Sequence, residues 1–588
     1  MASVDVVGRA PSNGPSRDIR SRSGPRIRGM TVLWILLSIV IGWLVIVPIA
    51  LLVLSSFKTE GFPTDAGYTL RHYVDAYTDP DLREVLINSA IFTIFSTLLA
   101  VAIGTALAWL VERTDIPGAR FFRALIIIPM ATPPMLLASA WAMLLNPRVG
   151  SLNYALMWVF GLSEMPFNIY SMTGMVFVEA LSVVPTVFLM LSHAFRNADP
   201  SHEEAALTSG ASPWRVFWFI TIPMMRPAIL GAVAFIAIVC LVVFDVPGTL
   251  GMPSRIFVLS TQIYYLFGSS PTGVPAFGQI SALGVLIVVC LILLALAYQS
   301  FTRMAAQFVT VSGKAFRPRP YELGRWRWFG SGIVIAYLLL AVVAPLGMLV
   351  WASLMPYLAP MTWENLALVT TANHAALLAN SKILSAVFNS VVVALIASTA
   401  VVILAGICGW VIVRRRTIGA KILDILTFVP LAIPGVIMGI ALTFVYLSLP
   451  WIPIYGTIWI LIVAYTTFYL AYGSRASQSA FFQLHKELEE AGEMSGASAL
   501  RTHSRITLPL VSAAMLGIWI WVFAHVMREL SMALVLHGRY NTVVSTLIWD
   551  YWSGGDPTTA SAVGVWLIIA LTVLIGATFA LTRRNVSA

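Results

Sequence analysis

The chain has 588 residues, 59% of them hydrophobic and 11% charged, with a formal net charge of +10 at pH 7. Soluble domains are about a quarter charged, so an ordinary soluble protein is excluded. Apolar runs of roughly 20 residues or more also exclude a β-barrel, whose strands need only about 10 residues and alternate in polarity.

In chain order, the first 30 residues hold six arginines among Ser, Pro and Gly. They read as a basic tail, followed by an apolar stretch too long for a signal-peptide core. Twelve helical spans are predicted, near 31–56, 87–111, 121–145, 171–196, 228–248, 279–301, 329–353, 386–411, 420–446, 457–480, 512–533 and 560–582. A shorter run near 152–161 fits a re-entrant or surface helix. Cys240, Cys290 and Cys408 lie within apolar runs without ligand-like spacing and read as packing residues.

The positive charge marks topology and not a nucleic-acid partner. With the N-terminus on the cytoplasmic side and alternating spans, 28 of the 36 Lys and Arg residues fall in cytoplasmic segments. That bias is the positive-inside pattern. Both termini are then expected in the cytoplasm, and the run Arg414, Arg415, Arg416 reads as an anchor at a helix end.

"EEAALTSGASPWRVFWFITIP" at 203–223 recurs as "EEAGEMSGASALRTHSRITLP" at 489–509, with 11 identities in 21 positions, where chance gives about one. "NSAIFTIF" at 88 likewise matches "NSVVVALI" at 389. The first pair is offset by 286 and the second by 301, so about fifteen residues are missing from the second copy. Both polar segments follow an even number of spans, so the repeat is parallel, unlike the inverted repeats of many secondary transporters. The expected fold class is an all-α polytopic membrane protein, with about twelve spans in two parallel six-helix repeats. The expected organisation is a cytoplasmic tail (1–30), a first repeat (31–301), a cytoplasmic linker (302–328) and a second repeat (329–588).

Within the polar segment, Ser201 followed by Glu204 is a capping-box pattern that starts a short helix. Gly210 and Gly496 stop it, because glycine accepts the left-handed conformation that turns a chain off a helix end. Pro223 and Pro509 mark entry into the next span. The outcome is an elbow of two short helices, present twice on one face, which implies two matching sockets.

"EAALTSG" followed by "ITIP", and "EAGEMSG" followed by "ITLP", resemble the signature loop of the inner-membrane permease subunits of binding-protein-dependent ATP-binding-cassette importers. The resemblance covers nearly the whole chain as two tandem units of the type I permease kind. It is nearest to fused permeases of the ferric-iron type, whose relatives handle phosphonate, thiamine or polyamine. It implies that the elbows are coupling helices, with Glu203, Glu204, Ala205, Gly210, Glu489, Glu490, Ala491 and Gly496 seated against ATPase subunits. Gly492 stands where the family has alanine, and is expected to loosen its helix.

The sequence has no phosphate-binding loop. Its one Gly-Lys, at 313–314, is followed by Ala and lacks the glycine five residues earlier. The expectation is therefore a transport subunit in the bacterial inner membrane, binding no cofactor of its own and lacking catalytic residues. ATP-Mg would be hydrolysed by two ATP-binding-cassette subunits, and a periplasmic solute-binding protein would deliver cargo for alternating access. The alternative is an ion-coupled secondary carrier, distinguished by needing no separate ATPase.

Charged residues inside apolar spans cost about 2.5–3.5 kcal/mol each on insertion scales, and several occur here. Glu179, Asp245, His525, Arg528 and Glu529 are candidate pathway residues. Asp245 and Glu529 lie 22 and 20 residues after Pro223 and Pro509, in near-equivalent positions that suit a shared outer mouth for a cationic cargo. The competing readings are a structural ion pair or snorkelling for Arg528 and Glu529, and a cap of the following turn for Asp245. Pro133, Pro134, Pro185, Pro430 and Pro434 each free a carbonyl that must find another partner.

Overall fold

The computed structural model describes residues 26–198, 201–268, 275–307, 321–414 and 417–586. The tail through residue 25, Gly313 and Lys314 of the linker, and Arg415 and Arg416 lie outside the described residues. Apart from two isolated bridges, the described residues form helices, turns and loops.

Among the described residues, nine helices are long and apolar enough to cross a membrane: Ile35–Ser56, Pro80–Arg113, Met172–Asn197, Pro213–Val242, Phe277–Phe301, Trp326–Ser353, Ser381–Arg414, Ser504–Arg528 and Pro557–Leu574. Ala119–Ala131 and Pro134–Leu144 form a tenth, bent by 94°. The remaining two predicted spans correspond to Ile418–Phe428 with Gly435–Leu447, and to Ile458–Phe482, whose last third turns polar. The first helix begins at Arg26, inside the predicted tail, and the sixth continues to Gln307, inside the predicted linker.

The same pairings recur in both halves. Pro80–Arg113 packs along Met172–Asn197, and Ser381–Arg414 packs along Ile458–Phe482. Small residues permit this close approach. A Cβ on Gly104 would lie 2.5 Å from Val187, and one on Gly473 would lie 2.8 Å from Val401.

The outer helices are exchanged between the halves. Ile35–Ser56 and Phe277–Phe301 pack against each other and on the second half's broken pair, while Ala344–Ser353 and Pro557–Leu574 do the same to the first half's broken pair. Phe277 meets Phe444 at 5.2 Å between ring centroids, and a Cβ on Gly564 would lie 2.6 Å from Leu136. Each broken helix is therefore buried between two helices of the other half, and Met135–Leu144 and Gly435–Tyr446 are buried throughout.

The missing fifteen residues have a place. The first half connects its broken helix to the next span through residues 145–171, while the second half uses only 448–457. The extra length forms the Ser151–Phe160 helix, the short run foreseen near 152–161. Trp158, Val159 and Phe160 are exposed on it, as suits a helix lying at an interface. Ser151 Oγ accepts a hydrogen bond from the Met361 N–H at 3.0 Å, tying this insert to the second half.

Candidate functional site

Each residue of the repeated Ser-Gly-Ala-Ser has a separate task. In the first elbow, helix Ser201–Thr208 ends with Ser209 Oγ donating to the Ala205 carbonyl at 2.8 Å. Gly210 then adopts φ +85°. Gly210 N–H donates to the Leu207 carbonyl and Ala211 N–H to the Ala206 carbonyl, which closes a Schellman turn. Ser212 Oγ accepts from the Arg215 N–H and starts the second arm. The second elbow repeats this with Ser495 on Ala491, Gly496 at φ +84°, Ala497 on Gly492, and Ser498 capping at Arg501.

The second arm of each elbow enters the membrane through a π turn, Phe217–Thr221 in one half and His503–Thr507 in the other. The wider turn brings a threonine onto the first glutamate of each elbow. Thr221 Oγ1 donates to Glu203 Oε1 at 2.6 Å, and Thr507 Oγ1 donates to Glu489 Oε1 at 3.2 Å. An arginine at the end of each half's longest helix completes the clasp. Arg113 Nη2 lies 3.4 Å from Glu203 Oε2, and Arg414 Nε lies 3.0 Å from Glu489 Oε1. Each arginine also donates to a carbonyl just before its elbow, Ala198 or Leu484.

The two glutamates of each pair are thus divided. Glu203 is buried at 2% exposure and Glu489 is half-buried, while Glu204, Glu490, Ala205, Ala491 and both glycines face outward. The first glutamate fixes the elbow to the membrane body, and the second belongs to the presented surface.

The elbows are not identical. Tyr321 from the linker pairs through its backbone with Arg113 and Asp115, and its ring packs beside Trp109. Burial, and then the Glu203 carboxylate, push its phenol above its usual range. In the second elbow, Gly492 has a packing role. A Cβ there would come within 3.0 Å of Ile506 and 3.1 Å of Thr502, so the missing side chain lets the two arms touch.

The candidate pathway residues converge at the helix breaks. Pro134 has no N–H for the Met130 carbonyl four residues back. Arg528, from the other half, donates to that carbonyl through Nη1 and approaches the Thr132 carbonyl at 3.5 Å. His525 Nδ1 lies 2.8 Å from the Trp521 carbonyl, which can only accept, so Nδ1 carries the proton and Nε2 accepts from Arg528 Nη2 at 2.9 Å. Trp521 stacks on His525 at 3.6 Å and on Tyr472 at 3.5 Å, which holds the imidazole in place.

Glu529 differs from its sequence reading. Its carboxylate accepts from the Met532 N–H at 3.0 Å and from the Ala533 N–H at 3.4 Å, capping the short helix Ser531–Leu536. Among the described residues it makes neither the ion pair nor the snorkelling contact considered above. Its equivalence with Asp245 also shifts by two residues. Ser260 Oγ donates to the Val243 carbonyl and Ser545 Oγ to the Glu529 carbonyl, so Glu529 matches Val243 and Asp245 matches Ser531. Asp245 is buried, within electrostatic range of the Met135 backbone and the Arg528 guanidinium. Glu179 is buried at 1% exposure beside Asp245 and Cys240, and its Oε2 has no hydrogen-bond partner.

At the end opposite the elbows, a cavity of about 680 Å³ lies between the halves. Asn146, Tyr170 and Thr249 line it from the first half, and Trp549, Trp552 and Asp556 from the second. Among the described residues, no three His, Cys, Asp or Glu side chains converge as a metal-binding set.

Arg113, Thr221, Thr507 and Tyr321 were not singled out from sequence, and Arg414 was read only as a topological anchor. The arginines stand at the 301 offset already set by "NSAIFTIF" and "NSVVVALI", and the threonines are among the eleven identities. Those signals were sufficient to find the arginines and threonines, whereas Tyr321 lies outside both repeats.

The chain is 26% identical over 495 residues to the ferric transport system permease protein FbpB of Actinobacillus pleuropneumoniae, covering 84% of this chain and 70% of that one. It is 25% identical over 512 residues to the Fe(3+)-transport system permease protein FbpB 2 of Haemophilus influenzae, covering 86% and 91%. A crystal structure of a bacterial ABC transporter that imports the acidic polysaccharide alginate aligns with a TM-score of 0.37 and 18% identity, over 44% of this chain and 96% of that one. The family model for the binding-protein-dependent transport system inner membrane component matches twice, at residues 100–310 and 401–587. Two tandem copies spanning most of the sequence place this protein in that family of importer permeases.

Proposed function

We propose that this chain is the complete membrane pathway of an ATP-driven ferric-iron importer, with both permease units on one polypeptide. The paired clasps carry the reading. Each fixes a surface elbow rigidly to the longest helix of its half, the connection required if force applied outside the membrane is to move a whole half. ATP is hydrolysed on two partner subunits, each receiving one elbow through Glu204 or Glu490 and the neighbouring small residues. A solute-binding protein docks at the opposite end, where the cavity opens. The domain limits follow the same logic, with one six-helix unit on each side of the linker.

Ferric iron is proposed because two relatives matched over more than four-fifths of the chain are permeases named for it. The intramembrane acids Glu179 and Asp245 offer hard oxygen along the route for a transient cation. The test is reconstitution of the chain in proteoliposomes with its ATPase and binding protein. ATP-dependent accumulation of radiolabelled ferric iron is expected. Accumulation of another solute retained by that binding protein, with none of iron, would reassign the cargo. Transport without any ATPase would reject the importer.

A further inference from the structure

Arg528 is the single described charged side chain seen to hydrogen-bond from one half to a backbone carbonyl at the other half's helix break. The contact is specified at several levels. Pro134 leaves the Met130 carbonyl without its helical donor. The 94° bend turns that carbonyl out of the broken helix, and His525, held by Trp521, supports the guanidinium from behind. Asp245 of the first half adds a buried carboxylate within electrostatic range of the same guanidinium. No counterpart exists elsewhere in the repeat, because the residue matching Arg528 in the first half is Val242.

The position of this contact gives it a consequence. It lies at the ends of Pro213–Val242 and Ser504–Arg528 remote from the elbows. Gly248 and Thr249, just after Asp245, line the cavity between the halves. For cargo to pass from that cavity, the halves must part here, and the Arg528 contact must break.

We propose that Arg528 is the gate residue of the import pathway, a latch between the halves that holds the end opposite the elbows closed until the loaded binding protein and ATP pull the halves apart. This rests on the importer reading but not on the identity of the cargo. A guanidinium donating to a carbonyl buried away from water is a strong contact, and its partner loses a hydrogen bond when it leaves. The latch therefore biases the molecule toward the resting arrangement and suppresses ATP hydrolysis when no binding protein is docked.

The test uses the assembled complex in proteoliposomes and measures ATP hydrolysis with and without binding protein. Arg528→Met should raise the unstimulated rate about tenfold and shrink the further stimulation by binding protein, as expected when a contact favouring one state is removed. Arg528→Lys should fall between the two, since an ammonium can still donate to the carbonyl. An Arg528→Met complex that elutes intact and keeps the wild-type unstimulated rate overturns the proposal.

His525→Ala serves as a second variant should Arg528→Met fail to assemble. It removes the acceptor that supports the guanidinium and should move hydrolysis in the same direction. An unchanged rate there also overturns the proposal. Hydrolysis is read without cargo, so a mistaken cargo leaves this result standing, whereas failure to bind any ATPase would remove the importer reading itself.

Discussion

Arg414 Nε lies 3.0 Å from Glu489 Oε1, and the pair reproduces in the second half the contact that Arg113 makes with Glu203 in the first. The difference is burial. The Arg113 and Glu203 side chains are 2% and 3% exposed, against 8% and 19% for Arg414 and Glu489. Removing Glu203 leaves a buried cation unpaired, which costs about 3–5 kcal/mol. Glu203→Ala should therefore lower the thermal midpoint in detergent strongly and Glu489→Ala less. Equal shifts would show that the clasps are energetically equivalent.

Glu204 and Glu490 face outward and make no clasp. Reversing either to lysine should leave thermal stability within about 0.5 kcal/mol, the usual range for surface changes. Co-elution with the ATPase subunit and solute uptake should both fall, by about tenfold if charge at the socket is what seats the elbow. Full uptake by the double variant Glu204→Lys, Glu490→Lys would remove these residues from the interface.

The glycines of the elbows are predicted to respond differently. Gly210 and Gly496 have positive φ but open space where a Cβ would stand, so alanine there costs only the left-handed strain of about 1–2 kcal/mol. Gly492 has ordinary φ and no free space. Gly492→Ala must push Ile506 or Thr502 aside and so separate the arms of the second elbow. The expected result is a larger loss of coupled ATPase activity for Gly492→Ala than for Gly210→Ala, with smaller differences in stability.

Tyr321 gives an alkaline signature. Its phenol is raised in the folded protein by burial and by Glu203, while in the unfolded chain it ionises near pH 10. Above that pH unfolding releases a proton, so stability falls as pH rises; below it the residue has no pH effect. The wild type should lose thermal stability between about pH 10 and 11 more steeply than Tyr321→Phe. Parallel pH profiles would show that the phenol is not held neutral beside Glu203.

The elbows were legible in sequence because they are local and duplicated. Serines, a left-handed glycine and an entry proline act within a few residues of one another, and a second copy exposes them. What holds the elbows was not legible in the same way. Arg414 and Glu489 are 75 residues apart, and an arginine at a helix end is read first as a topological charge. The twelve spans followed from length and hydropathy, whereas the 94° bend and the exchange of outer helices depend on contacts between halves. The capping role of Glu529 was not foreseen because it requires knowing that one helix stops at Arg528 and another begins at Ser531. An intramembrane acid looks the same in sequence whether it meets a solute or caps a turn. Arg528 was noted as a charge, but its partner is a carbonyl, and carbonyls have no letter in a sequence.

The exchange of outer helices sets a timetable for biogenesis. The Ile35–Ser56 helix rests on Gly435–Leu447, so almost 400 residues must be translated before its binding surface exists. At 5–20 residues per second that is a delay of roughly 20–80 s. Throughout it the helix sits in lipid without its eventual neighbour, and the amino-terminal unit cannot mature ahead of the carboxy-terminal one. Joining the units in one polypeptide keeps the late surface tethered beside the early helix, where separate chains would have to meet by diffusion.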